Sequence, residues 1–138
     1  MSQIFCDTWA WYALVDAGDA DHETARQTNE RLLDEGHTFV TTNFVLDETI
    51  TLIRYHLHHA AAVRFWHMLQ LLIASGLVEL VRVSQEHEKA AWEIFERYQD
   101  QAFSYTDCTS FAVMRDLGLT HAFTADHHFA TAGFVPVS

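Results

Sequence analysis

Short apolar segments alternate with longer amphipathic segments along the whole chain, and this alternation constrains the fold most. The short segments read as buried strands, and the longer ones carry apolar residues at helical spacing. Strands are predicted at 4–6, 37–41, 77–83, 122–125 and 134–137, the last as an edge strand that tolerates Pro136. Helices are predicted at 8–15, 22–35, 43–56, 59–74, 84–100 and 104–117, with a helical turn at 128–132. Because strands alternate with helices, we expect a three-layer α/β/α fold around a mainly parallel sheet.

Polar residues at the helix starts predict N-caps. Thr8, Asn43 and Ser84 each stand where an apolar-periodic segment begins. The segment 104–107, Ser-Tyr-Thr-Asp, matches a capping box in which aspartate takes the place of the commoner glutamate.

Composition narrows the class of protein. A length of 138 residues, of which 49% are hydrophobic, predicts a single domain over residues 1–138. We find neither a secretory signal nor an apolar run long enough to span a membrane. The net charge of −11 disfavours nonspecific nucleic-acid binding over the whole surface. Cys6 and Cys108 fit no zinc motif and predict free thiols in a reducing cytoplasm.

Four acidic residues lie where regular elements begin or end. Asp7 and Asp126 follow predicted strands, whereas Glu48 and Asp107 lie early in two predicted helices. The carboxyl ends of parallel strands meet at one edge of a sheet, where ligands bind. We therefore expect the four acids to converge at that edge.

Helical periodicity separates the inward-facing acids from the solvent-facing ones. On a helical wheel Glu48 falls between apolar neighbours, whereas Asp47 falls on a polar edge beside Arg54. Asp107 shares an apolar stripe in the same way, and Asp116 lies opposite it. Carboxylates on buried faces are destabilising unless a cation or hydrogen bonds compensate. Four such acids are typical of a site for a hard divalent cation, Mg²⁺ or Mn²⁺.

The segments around these acids resemble a known family. The chain is similar to a PIN domain, most closely to the VapC-type toxins of bacterial toxin–antitoxin pairs, over essentially its whole length and in family order. The matching segments are IFCDT at 4–8, TNFVLDE at 42–48, SYTDCTS at 104–110 and TADHHF at 124–129.

This resemblance implies a function and a set of site residues. It implies a Mg²⁺- or Mn²⁺-dependent endoribonuclease that cleaves single-stranded or structured RNA. It also implies the toxin of a type II toxin–antitoxin pair, which forms a homodimer and is blocked by a VapB-like antitoxin. The cleavage products should carry 5′-phosphate and 3′-hydroxyl ends. The catalytic and metal-binding residues it implies are Asp7, Glu48, Asp107 and Asp126. The positions near the metals that it implies are Thr8, Asn43 and Thr124, with Asn43 capping the helix of Glu48.

Other readings stay open at this point. Arg54 and Arg64, with the histidines around them, form the one basic patch that could contact an RNA backbone. The ten histidines invite a zinc site, although no spacing supports one. The aromatic residues Trp9, Trp11, Phe65 and Trp66 suit a core or a dimer interface better than base stacking. A PIN-like module that binds protein or RNA with an idle site is the alternative to an enzyme.

Overall fold

The fold is an α/β fold built on five parallel strands, as the alternation predicts. The computed structural model describes residues 2–138. In chain order the elements are β1 Gln3–Cys6, α1 Thr8–Val15, α2 His22–Asp34, β2 Thr38–Thr42, α3 Asn43–His56, α4 His59–Ala74, β3 Val78–Val81, α5 Gln85–Arg97, α6 Tyr105–Leu117, β4 His121–Phe123, α7 His127–Thr131 and β5 Val135–Val137. Among these residues, no helix is both long and apolar enough to cross a bilayer.

The sheet has the order β3-β2-β1-β4-β5, and every neighbouring pair is parallel. The central strand β1 pairs on both sides, since Phe5 lies opposite Val40 of β2 and opposite Ala122 of β4. Each of these three residues is fully buried. The strand that contains Pro136 lies at the edge, which confirms the prediction, because proline cannot donate to a further strand.

The connections reverse direction between β1 and β4. The chain runs from β1 to β2 and β3 on one side, then returns to β4 and continues outward to β5. Right-handed crossovers therefore place α1 to α4 on one face and α5 to α7 on the other. The packing agrees, because α1 contacts α2 and α3, whereas α5 contacts α6. The carboxyl ends of β1 and β4 form a topological switch point, where ligands bind in sheets of this kind.

An aromatic cluster packs α6 and α7 against the sheet. The ring of Phe111 on α6 lies 5.1 Å from Phe103 and 5.0 Å from Phe129 of α7, in edge-to-face contacts. Phe129 in turn contacts Phe5 of the central strand at 6.3 Å. These rings hold α6 and α7 against the sheet. Asp107 lies in the first turn of α6, and Asp126 is the residue before α7.

Two helix starts differ from the sequence prediction. The N-cap of α3 is Thr42, whose hydroxyl accepts the N–H of Val45 at 3.1 Å, so the predicted cap at Asn43 is wrong. The side-chain carbonyl of Asn43 instead accepts the N–H of Val83 at 2.7 Å. Thr8 does not cap α1 either, because it is the first helical residue and Asp7 holds the N-cap position. The predicted caps at Ser84 and Ser104 are confirmed, each within a capping box.

Most remaining differences are shifts of one to a few residues at element ends. The strand predicted at 77–83 spans only Val78–Val81, because the backbone beyond it turns to bind Asn43. The helix predicted to residue 100 ends at Arg97. The strand predicted at 122–125 is His121–Phe123, and the turn predicted at 128–132 is His127–Thr131.

Candidate active site

Asp7 occupies the most buried carboxyl position at the switch point. Its side chain is 5% exposed, and one of its oxygens, Oδ2, accepts the hydroxyl of Thr124 at 2.9 Å. The pKa of Asp7 is raised from 3.8 to about 7, chiefly by burial and to a smaller extent by the charges of Asp107 and Asp126, against the hydrogen bonds from the Thr124 hydroxyl and the Thr8 backbone. A carboxylate in this position is therefore destabilising unless a cation compensates it.

Thr124 links two of the acids directly. Its hydroxyl donates to Asp7 and accepts the backbone N–H of Asp126 at 3.0 Å. Asp126 is the N-cap of α7, and its Oδ1 accepts the N–H of His128 at 2.9 Å. One threonine thus sets the relative positions of the acids that follow β1 and β4.

Asp107 is held by the capping box at the start of α6. Its Oδ2 accepts the N–H of Ser104 at 3.0 Å, and its own N–H donates to the Ser104 hydroxyl at 3.0 Å. Burial is the main cause that raises the pKa of Asp107, and the charge of Asp126 adds to it. The Ser104 bonds and His128 act in the opposite direction. Capping and cation binding are compatible here, because the cap uses only one carboxylate oxygen.

Glu48 lies on α3, and the helical-wheel prediction for it is confirmed. Asp47 is exposed and Glu48 is half-buried, while on α6 Asp116 is exposed and Met114 is fully buried. The helix α3 packs against α6, which carries Asp107. The other three acids accept hydrogen bonds from Thr124, Ser104 and His128, none of which is on α3.

The four acids do not form one tight cluster. Within the described chain, the group of His, Cys, Asp and Glu side chains whose ligand atoms all lie within 4.8 Å of one another is Asp126, His127 and His128. Asp7, Asp107 and Asp126 are nevertheless close enough for the charges of Asp107 and Asp126 to raise the pKa of Asp7, whereas Glu48 lies on the neighbouring helix α3.

His128 is a site residue that the sequence prediction missed. Its ring nitrogen Nδ1 lies 3.3 Å from Asp107 Oδ2 and 3.3 Å from Asp126 Oδ1. The signal in the sequence was its position two residues after Asp126 at the start of a helical turn. That spacing could indicate proximity to Asp126 but not to Asp107, which comes from a different helix.

The donor set suits a hard divalent cation. Aspartate and glutamate oxygens are the preferred ligands of Mg²⁺ and Mn²⁺. The hydroxyl Oγ1 of Thr8, the residue after Asp7, is buried and has no hydrogen-bond partner among residues 2–138. A buried hydroxyl of this kind needs a partner, and a cation-bound water beside Asp7 would supply one.

The predicted RNA-contacting residues, Arg54 and Arg64, are exposed on α3 and α4. His58 instead caps α4, since its Nδ1 accepts the N–H of Ala61 at 3.1 Å. Arg64 also lines a cavity of about 710 Å³ between α1, α2 and α4. That cavity is mostly apolar and is lined by none of the four acids, so the site chemistry lies outside it.

Comparison with known proteins identifies the family. The PIN domain profile matches residues 4–135. A 23S rRNA-specific endonuclease, VapC20 of Mycobacterium tuberculosis, is 39% identical over 97% of this chain and 97% of its own length. The chain belongs to the PIN domain family. Within that family it groups with the VapC ribonucleases, as the sequence resemblance predicted.

Solved structures support the same grouping. The crystal structure of M. tuberculosis VapC20, described as a sarcin–ricin loop cleaving toxin, matches with a TM-score of 0.83 at 40% identity, over 97% of this chain and 98% of that one. VapBC2 of Rickettsia felis, bound to a promoter DNA fragment, matches with a TM-score of 0.70 at 11% identity, over 99% and 98%. The second likeness concerns the fold alone.

Proposed function

We propose that this protein is a divalent-metal-dependent endoribonuclease that cleaves 23S ribosomal RNA as the toxin of a type II toxin–antitoxin pair. The observation that carries the proposal is the buried Asp7, with its pKa raised to about 7, at the switch point beside Asp107 and Asp126. The relative of known substrate class covers nearly the whole chain at 39% identity, which supports ribosomal RNA as the substrate. Residues 1–138 act as a single PIN domain in this proposal.

Asp7, Glu48, Asp107 and Asp126 hold Mg²⁺ or Mn²⁺. When bound there, the cation would supply Lewis acidity for hydrolysis of the scissile phosphate. Each aspartate accepts a hydrogen bond on one oxygen, Oδ2 of Asp7 and Asp107 and Oδ1 of Asp126. The second oxygen of each can then approach the cation.

The neighbouring polar residues orient this machinery. Thr124 sets the direction of the Asp7 carboxylate, and the unpartnered hydroxyl of Thr8 orients water or phosphate beside it. Asn43 acts through the backbone, since its bond to Val83 ties the first turn of the Glu48 helix to the end of β3. Arg54 and Arg64 contact the RNA backbone from their exposed positions.

Cleavage of ribosomal RNA tests the proposal. The purified protein is incubated with ribosomes and with a 23S rRNA transcript in Mg²⁺ or Mn²⁺, and cuts are mapped by primer extension. We expect a specific cut with a 5′-phosphate end that EDTA abolishes and Asp7→Asn removes. The matched controls Asp47→Asn and Asp116→Asn, both exposed acids, should cleave like wild type. RNA binding without cleavage would support the idle binding module instead.

A basic antitoxin segment is the proposed protein partner. The chain carries a net charge of −11, and Asp7, Asp107 and Asp126 concentrate negative charge at one edge. An arginine or lysine there satisfies the same carboxylates as a cation does. The product of the neighbouring gene should bind with an affinity that falls as Mn²⁺ rises and that Asp7→Asn weakens. An affinity indifferent to both changes would place the partner elsewhere.

A second copy of the chain is proposed to cover an exposed aromatic surface. Trp92 and Phe95 of α5 are 53% and 40% exposed and contact Tyr105, which also contacts Phe44 of α3. Exposed clusters of this kind mark protein interfaces. Light scattering should give a dimer that Trp92→Ser disrupts and that Leu71→Ser, at a 72% exposed position on α4, does not. A wild-type monomer at micromolar concentration would contradict the proposal.

The cytoplasm is the proposed compartment. Ribosomal RNA is there, and the buried free thiols Cys6 and Cys108 suit a reducing environment. Fractionation of cells that express the tagged protein would test this.

A further inference from the structure

The imidazole of His128 lies between two carboxylates that come from different helices. Its Nδ1 is 3.3 Å from Asp107 Oδ2 on α6 and 3.3 Å from Asp126 Oδ1 at the start of α7. This nitrogen is buried, and it makes no well-aligned hydrogen bond within residues 2–138. A single N–H placed equally between two acceptors cannot align fully with both, which accounts for this geometry.

The ring has a fixed direction. Its side chain is only 16% exposed, and the centroid of its ring lies 5.4 Å from that of Phe103 in an edge-to-face arrangement. The backbone N–H of the same residue donates to Asp126 at 2.9 Å, which fixes the start of the helical turn. The ring is therefore held by packing on one side and by the helix on the other.

The two oxygens that face the ring are those already bound by backbone N–H groups. Ser104 N–H donates to Asp107 Oδ2, and His128 N–H donates to Asp126 Oδ1. The imidazole thus lies on the protein side of both carboxylates, and their other oxygens remain for a cation. This arrangement suits a residue that orients ligands better than one that binds the metal itself.

We propose that His128 is a positioning residue of the metal site, whose Nδ1–H is shared by Asp107 and Asp126 and sets the spacing of these two carboxylates. The inference rests on the proposed function, because it assigns these aspartates to a cation. An imidazole that carries a proton on Nδ1 can direct this N–H to both carboxylates. His128 therefore links α6 to α7. It couples Asp126, which follows β4, to Asp107, which does not follow a strand.

Three substitutions separate positioning from the alternatives. Asparagine places an amide N–H close to where histidine has Nδ1, whereas glutamine places one close to Nε2. We expect His128→Ala and His128→Gln to weaken Mn²⁺ binding about 10- to 100-fold, the range for residues that orient metal ligands. His128→Asn should bind Mn²⁺ with an affinity within about a few-fold of wild type, because the asparagine amide retains an N–H near the position of Nδ1.

Calorimetric Mn²⁺ titration without RNA is the primary measurement, with urea unfolding in metal-free buffer as the check on folding. The control is His121→Ala, an exposed histidine at the opposite end of β4, which should bind Mn²⁺ like wild type. If His128→Gln retained Mn²⁺ affinity and His128→Asn lost it, Nε2 would be identified as a metal ligand and the proposal would be overturned. Equal binding by all variants, or equal loss in all three, would also overturn it.

Failure of the inference and failure of the proposed function give different results. If wild type binds no Mn²⁺ and cleaves no RNA, the proposed function fails. If wild type binds and cleaves while the His128 series departs from the expected order, only the role of His128 is wrong.

Discussion

The burial of Asp7 makes the stability of the metal-free protein depend on pH. The folded chain holds this carboxyl 5% exposed with a pKa raised from 3.8 to about 7, mainly by burial. Because the folded state keeps the proton to a higher pH than the unfolded state, protonation of Asp7 stabilises the fold. That stabilisation is complete below about pH 4 and is lost as the pH rises through about 7. Asp7→Asn removes the ionisation and therefore the loss.

The size of the effect follows from the pKa shift. Each pKa unit corresponds to about 1.4 kcal/mol, so the rise from 3.8 to about 7 amounts to roughly 4 kcal/mol. About half of this, roughly 2 kcal/mol, falls between about pH 5.5 and about pH 8, where urea unfolding is practicable. Relative to Asp7→Asn, wild type should lose this much stability over that range. Other groups titrate in both proteins, so the difference between them isolates Asp7.

The assay is urea unfolding in EDTA-treated buffer at the two pH values. Asp47→Asn, at an exposed acid on α3, is the matched control and should follow wild type at both. Added Mn²⁺ should stabilise wild type more at the higher pH, because the ligand must be deprotonated, and should stabilise Asp7→Asn little. A difference between wild type and Asp7→Asn that stays constant with pH would refute the reasoning.

Three further predictions concern single side chains. Glu48→Gln should reduce Mn²⁺-dependent cleavage at least about tenfold, because it removes a carboxylate from the metal site. Asp47→Asn should leave cleavage intact, and equal losses in the two variants would contradict the assignment of Glu48. Ser104→Ala and Ser84→Ala should each lower the free energy of unfolding by about 1 kcal/mol through loss of a cap, but only Ser104→Ala should weaken Mn²⁺ binding in calorimetry. Thr124→Val should shift the pH midpoint of Mn²⁺ binding upward, because it removes a hydrogen bond that lowers the pKa of Asp7. An unchanged midpoint would contradict this role of Thr124.

Local sequence patterns determined the elements and the faces of the acids. Helical periodicity placed Glu48 inward and Asp47 outward, and the capping box around Asp107 formed as predicted. These features depend on residues within about one or two helical turns, where side-chain spacing and backbone hydrogen bonds decide the outcome. The edge position of Pro136 follows in the same way from its missing N–H.

Helix ends were less well predicted where a distant partner competed. Asn43 and Thr42 are both good N-caps by residue type, and the sequence favoured Asn43. Thr42 is the N-cap in the structure because the Asn43 side chain binds the backbone of Val83, forty positions away in the chain. The same contact ended β3 early.

The site itself required the tertiary structure. Thr124 and Asp7 are 117 positions apart in sequence, and they meet because β1 and β4 are neighbours in the sheet. The sequence placed both at carboxyl ends of strands, but strand order depends on long-range packing that no local pattern contains. His128 became visible only when α6 and α7 were packed together by the Phe103, Phe111 and Phe129 rings. The residue types of the site are thus local information, whereas their distances and the raised pKa of Asp7 arise from burial in the assembled fold.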